Sequence, residues 1–175
     1  PHAAAGARGL LGAGLGITKD DPQFETLKNE FLARYEADMV VQTRLFDGMT
    51  ELLERIERAG MAWGIVSNKV ERYVRQIVTA LGLEHRAATV IGGDTAARPK
   101  PWPDPLLLAL EQTGRTADQA IYLGDDIRDL EAARAAGMPM IAAGYGYVGT
   151  DNPPERWGAD AVVSRPDQIA GLIGI

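Results

Sequence analysis

The run Ile121-Tyr122-Leu123-Gly124-Asp125-Asp126-Ile127-Arg128-Asp129, continuing through Leu130 to Gly137, decides the fold. Its three leading apolar residues read as a buried strand, and Gly124 is expected to let the chain turn sharply at the strand's end. Two adjacent carboxylates follow, and a third, Asp129, sits one helical turn beyond Asp125 on the same side of the new helix. Ala132, Ala133, Ala135 and Ala136 carry that helix forward, and Gly137 is placed to end it. Acidic groups gathered at a strand's carboxyl end repel one another unless a cation sits among them. Their hard oxygens suit Mg²⁺. The same pattern also describes a helix N-cap followed by acids that the helix dipole favours. The residues around this run must separate the two readings.

Outward from it, strands and helices alternate. Leu52, Leu53, Ile56 and Ala59 predict a helix closed by Gly60, Met61 to Val66 a short strand, and Val70 to Leu81 a helix closed by Gly82. Ala88 to Ile91 reads as a strand, Pro105 to Gln112 as a helix and Ala120 to Leu123 as a strand. Ile127 to Ala136 is helix, Pro139 to Ala142 strand, Ala161 to Val163 strand and Pro166 to Ile173 helix. This alternation implies an α/β domain, a doubly wound parallel sheet covered by helices on both faces. Residues 1–43 differ. A glycine-dense start gives way to Asp20-Asp21-Pro22, a helix-start signal, and then Phe24, Leu27, Phe31, Tyr35 and Met39 recur at helical spacing to about Val41. The expectation is a small helical cap subdomain over residues 1–43 and an α/β core over 44–175.

Composition narrows the function classes. The 175 residues are 46% hydrophobic and 24% charged, as in ordinary globular proteins. A net charge of −6 and a pI near 4.9 argue against nucleic acid or an anionic membrane as partner. There is no cysteine, and the two histidines, His2 and His85, are too far apart in sequence to suggest a zinc cluster. No apolar run reaches membrane-spanning length, so a cytoplasmic protein, monomer or homodimer, is expected. The Gly12-Ala13-Gly14-Leu15-Gly16 run lacks a preceding strand, the G-x-G-x-x-G spacing and a following lysine, which argues against a phosphate loop.

In an open α/β sheet, ligands sit beyond the carboxyl ends of the strands. Three successive predicted strand ends carry chemistry here. Gly64-Ile65-Val66 leads to Ser67, Asn68 and Lys69; Thr89-Val90-Ile91 leads to the loop holding Arg98-Pro99-Lys100-Pro101; Ile121-Tyr122-Leu123 leads to Asp125 and Asp126. A hydroxyl and an amide can donate to phosphate oxygens, a lysine supplies a point charge, and Mg²⁺ on Asp125 would offset charge on a transferring phosphoryl group. A small phosphorylated metabolite is the expected partner.

Ser67-Asn68, Lys100-Pro101 and Gly124-Asp125 with Asp129 resemble, in order and context, the second, third and fourth motifs of the haloacid dehalogenase-like hydrolases. Within that superfamily the chain is similar to the phosphoglycolate phosphatase type, which carries a helical cap. The resemblance implies Mg²⁺-dependent hydrolysis of a phosphomonoester through a phospho-aspartate intermediate. It implies that Ser67 and Asn68 orient the phosphoryl group, that Lys100 stabilises it, and that Asp125 binds Mg²⁺. Asp129 would steady Lys100 or a metal-bound water, and Asp126 would cap the helix or act as a further ligand. Arg8 lies where related caps approach the site and would bind a substrate carboxylate. Leu45-Phe46-Asp47-Gly48-Met49, Trp63 to Lys69, and Tyr145-Gly146-Tyr147 through Trp157 to Asp160 are also similar to a bacterial branch acting on N-acetylmuramic acid 6-phosphate.

One departure stands out. The family's first motif, an Asp-x-Asp-Gly-Thr loop after the central strand, supplies the nucleophile, and no such sequence occurs here. Phe46-Asp47-Gly48 lacks the paired aspartate. The expectation is that the first core strand and its loop lie upstream of Pro1, the alternative being a truncated, catalytically inert fragment whose gap another strand or chain fills. A receiver-type signalling domain would place its acids early and its lysine late, the reverse of Lys100 and Asp125. A metal-independent dehalogenase leaves the acidic cluster unexplained.

Overall fold

The computed structural model describes residues 6–148 and 152–175. His2 and the opening residues of the glycine-rich run lie outside them. The chain divides into two compact units, residues 1–43 and 44–175.

The first unit pairs helix α1 (Gly6–Leu15) with α2 (Phe24–Asp38). Leu11, Phe24 and Met39 are buried, whereas Leu27, Phe31 and Tyr35 are half-buried, so the stripe expected to run to Val41 covers a narrower seam and its helix ends at Asp38. Asp21 does mark the entry, its carboxylate accepting the Gln23 N–H at 2.9 Å, but the helix proper begins at Phe24.

The second unit runs α3 (Met49–Arg58), β1 (Ile65–Val66), α4 (Glu71–Ala80), β2 (Val90–Ile91), α5 (Asp104–Thr113), β3 (Tyr122–Gly124), α6 (Ile127–Ala135), β4 (Met140–Ala143), β5 (Ala161–Val163) and α7 (Asp167–Leu172). Single 3₁₀ turns at Ala117–Gln119 and Pro154–Arg156 break the longer connections. Every strand pairing is parallel, β1 with β2 and β3-β4-β5 in that order. The strand expected over Met61 to Val66 shrinks to two residues. Gly64 lies against Thr89, where a Cβ would collide with the threonine side chain, and regular pairing begins only at Ile65↔Val90.

Side-chain alternation covers both faces, as a doubly wound sheet requires. On β4, Met140 and Ala142 enter a core with Leu106 of α5 and Leu130, Ala132 and Ala133 of α6. The intervening Ile141 points the other way, to Leu52 of α3, Val163 of β5 and Ile169 of α7. β3 repeats the pattern, with Tyr122 on the first face and Leu123 on the second. A third cluster joins α3 to α4 through Leu53, Val74, Val78 and Leu83, with Ile65 and Val90 against it. Among the described residues, β1 and β3 share no ladder, so the sheet is interrupted between them. Among those residues, too, no helix is long and apolar enough to cross a membrane.

Candidate active site

The carboxyl ends of β1 and β3 and the loop after β2 bring Ser67, Asn68, Lys100 and Asp129 together, with Asp125 beside them. Lys100 is the centre. It is 8% exposed, its ammonium lies 2.7 Å from Asp129 Oδ1, and it donates to Tyr122 Oη at 2.7 Å and to the Val66 carbonyl at 3.0 Å. An ammonium has three hydrogens, and here three acceptors meet them. Its backbone is fixed as firmly. Asn68 Nδ2 donates to the Lys100 carbonyl at 2.8 Å, and the Lys100 N–H donates to Asn68 Oδ1 at 2.9 Å. Both ends of the Asn68 amide therefore hold the lysine loop, and the side chain acts through Lys100. The Lys100–Pro101 peptide is cis.

Ser67 enters as the residue after β1, its N–H bonded to the Ile91 carbonyl at 2.9 Å. Its hydroxyl accepts the Lys69 N–H at 3.1 Å and retains its own hydrogen to donate.

The three carboxylates of the deciding run take separate jobs. Asp126 is the N-cap of α6, accepting the Arg128 N–H at 2.9 Å, and its carboxylate also pairs with the Arg128 side chain at 2.7 Å. That guanidinium holds the Asp126 carboxyl below the usual carboxylate range. Asp129 is 5% exposed and folds back over the turn, accepting the N–H groups of Asp125 at 3.1 Å and Asp126 at 3.2 Å while meeting Lys100. Asp125 is fixed from another direction, its Oδ2 accepting the Tyr147 N–H at 2.8 Å.

Two glycines are required by these approaches. A Cβ on Gly124 would collide with the Asp129 carboxylate, and one on Gly146 with the Asp125 side chain. Gly124 does not adopt a left-handed backbone, so it serves close approach, and the chain bends directly after it, at Asp125 and Asp126, before α6 begins. Gly137, at φ 72°, does end α6 in the left-handed region.

For a divalent cation the donor set is partial. Asp126 is committed to Arg128 and Asp129 to Lys100, which leaves Asp125 as the carboxylate best suited to a metal. Among the described residues no three His, Asp or Glu side chains cluster as a metal site. Asp125 thus fits as one hard ligand of Mg²⁺. Arg8 is exposed on α1 of the first unit, and Asp47 is exposed between Phe46 and α3.

Tyr122 escaped the reading of the sequence, as did the contact of the Gly146-Tyr147 turn with Asp125. Tyr122 lies in an apolar run that reads simply as core, yet a buried tyrosine hydroxyl needs a partner, and that was the available signal. The residue is partly exposed along the β3 edge while its hydroxyl is crowded by Val66, Lys100 and Asp129. Burial and the Asp129 carboxylate push its phenol well above 10. Tyr145 packs edge-on against Phe46 at 5.3 Å between ring centroids, and burial with the Asp125 charge pushes its phenol to about 12. Tyr147, 80% exposed, leans on the same Phe46 at 5.9 Å.

A parallel α/β domain that gathers a hydroxyl, a lysine and carboxylates beyond its strand ends has the layout of a hydrolase that handles an anionic group. Residues 14–143 match the haloacid dehalogenase-like hydrolase family, and the chain belongs to it. It is 46% identical over 169 residues to a phosphoglycolate phosphatase of Xanthomonas campestris pv. campestris, spanning 97% of this chain and 76% of that one. It is 39% identical over 170 residues to an N-acetylmuramic acid 6-phosphate phosphatase of Pseudomonas aeruginosa, spanning 97% and 75%. In fold it superposes with TM-score 0.85 and 24% identity on a crystal structure from Haemophilus somnus titled a predicted phosphoglycolate phosphatase, covering 97% of this chain and 75% of that one.

Proposed function

We propose that this chain is the phosphate-handling part of a phosphomonoester hydrolase, a phosphatase of the phosphoglycolate type. The observation that carries the reading is the buried Lys100–Asp129 pair at 2.7 Å, aligned with Ser67 and Asp125 at the strand ends. Ser67 donates to a phosphoryl oxygen. Lys100 supplies positive charge against the phosphoryl group, which favours a transition state whose charge is spread over the equatorial oxygens. Asn68 and Asp129 hold Lys100. Mg²⁺, when bound through Asp125, supplies electrostatic stabilisation of the same group.

The carboxylates at the end of β3 are engaged, Asp126 by Arg128, Asp129 by Lys100 and Asp125 by the Tyr147 N–H. In this proposal the phosphoryl group passes to an aspartate outside these 175 residues, and water then hydrolyses the phospho-aspartate. Residues 1–43 act as a cap that selects the leaving group, with Arg8 as ligand for a substrate carboxylate.

Phosphoglycolate is the substrate favoured by the 46% identical relative. N-acetylmuramic acid 6-phosphate is the second reading. It is favoured by the 39% identical relative and by Phe46 and Tyr147, whose partly exposed rings offer apolar faces to a sugar. Phosphate release from both compounds by the complete gene product, with Mg²⁺ or with a chelator, tests the proposal. Turnover that needs Mg²⁺ and disappears in Lys100→Ala is expected. Turnover indifferent to chelator and to Lys100 would overturn it, and the ratio of kcat/KM values assigns the substrate.

A further inference from the structure

We propose that Tyr122 is a positioning residue for Lys100, an inference that rests on the phosphatase reading above. Its hydroxyl accepts the ammonium at 2.7 Å and donates to the Val66 carbonyl at 3.0 Å, and Lys100 donates to that same carbonyl at 3.0 Å. Lysine, tyrosine and carbonyl thus form a closed three-point ring. The Val66 oxygen has two lone pairs and receives two donors, while the tyrosine oxygen both accepts and donates.

Position and chemistry make this ring more than core packing. Val66 ends β1, Tyr122 begins β3, and no strand ladder joins those two strands among the described residues. Lys100 arrives from a third segment, the loop after β2. Without the ring, the four-carbon lysine stem would have only the Asp129 carboxylate to direct it. Asp129 alone would draw the ammonium toward α6, since that carboxylate also accepts the N–H groups of Asp125 and Asp126. The Tyr122 hydroxyl, 3.5 Å from Asp129 Oδ1, and the Val66 carbonyl give the ammonium two further acceptors, on β3 and at the end of β1. The ammonium is thereby held between the two sheets at the strand ends, where a phosphoryl group is to be met. A charge placed beforehand needs little reorganisation during reaction, which is the source of its effect on rate.

Tyr122→Phe removes the hydroxyl, and with it two sides of the hydrogen-bonded ring, while leaving the aromatic side chain in place. Two measurements on the complete gene product read the consequence. The first is steady-state hydrolysis of the preferred phosphomonoester. A kcat about tenfold lower, with KM within about twofold, is expected from losing one directing bond to the ammonium, about 1.4 kcal/mol. A lower melting temperature with kcat unchanged would mean a merely structural tyrosine and would overturn the proposal.

The second measurement needs no turnover. The chain contains four lysines, and Lys100 alone is buried. Its ammonium hydrogens, each with an acceptor, exchange slowly with water, so ¹⁵N-lysine NMR is expected to show one protected ammonium signal, absent in Lys100→Arg and lost in Tyr122→Phe. Persistence of that signal in Tyr122→Phe would overturn the proposal. An inert wild-type protein whose protected signal still depends on Tyr122 would remove the phosphatase reading and leave the positioning of Lys100 standing. Should Tyr122→Phe fail to fold, 3-fluorotyrosine at position 122 keeps the ring and weakens the acceptor. Faster exchange of the Lys100 signal then supports the proposal, and unchanged exchange overturns it.

Discussion

At the scale of single residues, the site is governed by one buried ion pair. Lys100 and Asp129 have side chains only 8% exposed each, and charge in such surroundings is tolerable because each group also has hydrogen-bond partners. Removing one partner leaves the other charge buried and uncompensated. Lys100→Met is therefore predicted to lower stability by about 3–5 kcal/mol in urea unfolding. Adding Asp129→Asn to Lys100→Met should cost little more, because the neutral amide no longer carries the orphaned charge. Fully additive losses would show that the pair is not coupled. Asn68 belongs to the same scale. Its type and its place after a strand are visible in the sequence. That both ends of its amide grip the Lys100 backbone is not, because the partner lies 32 residues away and only the fold brings them together.

At the scale of elements, α6 shows how local signals were legible and where they failed. Asp126 followed three residues on by Asp129 is a reciprocal capping arrangement, and Gly137 closes the helix in the left-handed region, so both ends are written in residues within reach of each other. Asp126→Ala is predicted to lower stability by about 0.5–2 kcal/mol, the usual loss for an N-cap, with the Mg²⁺ concentration needed for half-maximal turnover unchanged. A raised Mg²⁺ requirement would reassign Asp126 as a metal ligand. Strand existence was equally legible, since apolar runs between turn residues mark all five. Strand length was not. β1 and β2 are two residues each where four to six were expected, because ladder hydrogen bonds depend on the neighbouring strand and not on the run itself. Gly124 shows the same limit. Its presence is obvious, but its reason, the incoming Asp129 carboxylate, comes from the helix beyond it.

At the scale of the whole molecule, α/β order and parallel pairing follow from the alternation of elements, whereas the break between β1 and β3 depends on which strands lie side by side. Phe46, Tyr145 and Tyr147 form another feature visible only in three dimensions, joining residues about a hundred positions apart. Tyr145 makes the molecule sensitive to alkali. An unfolded tyrosine ionises near 10, while in the folded protein the phenol is pushed to about 12, so between those values the folded state holds a proton that the unfolded state has released. The stabilisation is complete below pH 10 and is lost as pH rises through that window. Urea midpoints measured from pH 9 to 11 should fall more steeply in the wild type than in Tyr145→Phe. Equal slopes would place the burden elsewhere.

The ring through Val66, Tyr122 and Lys100 has a consequence for anyone mutating this chain at scale. The residue to which chemistry is assigned is also the stitch between the two sheets, reaching the end of one and the beginning of the other. A screen that scores only activity after expression will merge two kinds of loss at position 100, proteins that cannot react and proteins that have come apart. The two separate only when soluble yield is scored alongside turnover. Position 68 will show the same double signature, because it anchors the backbone from which that stitch is drawn.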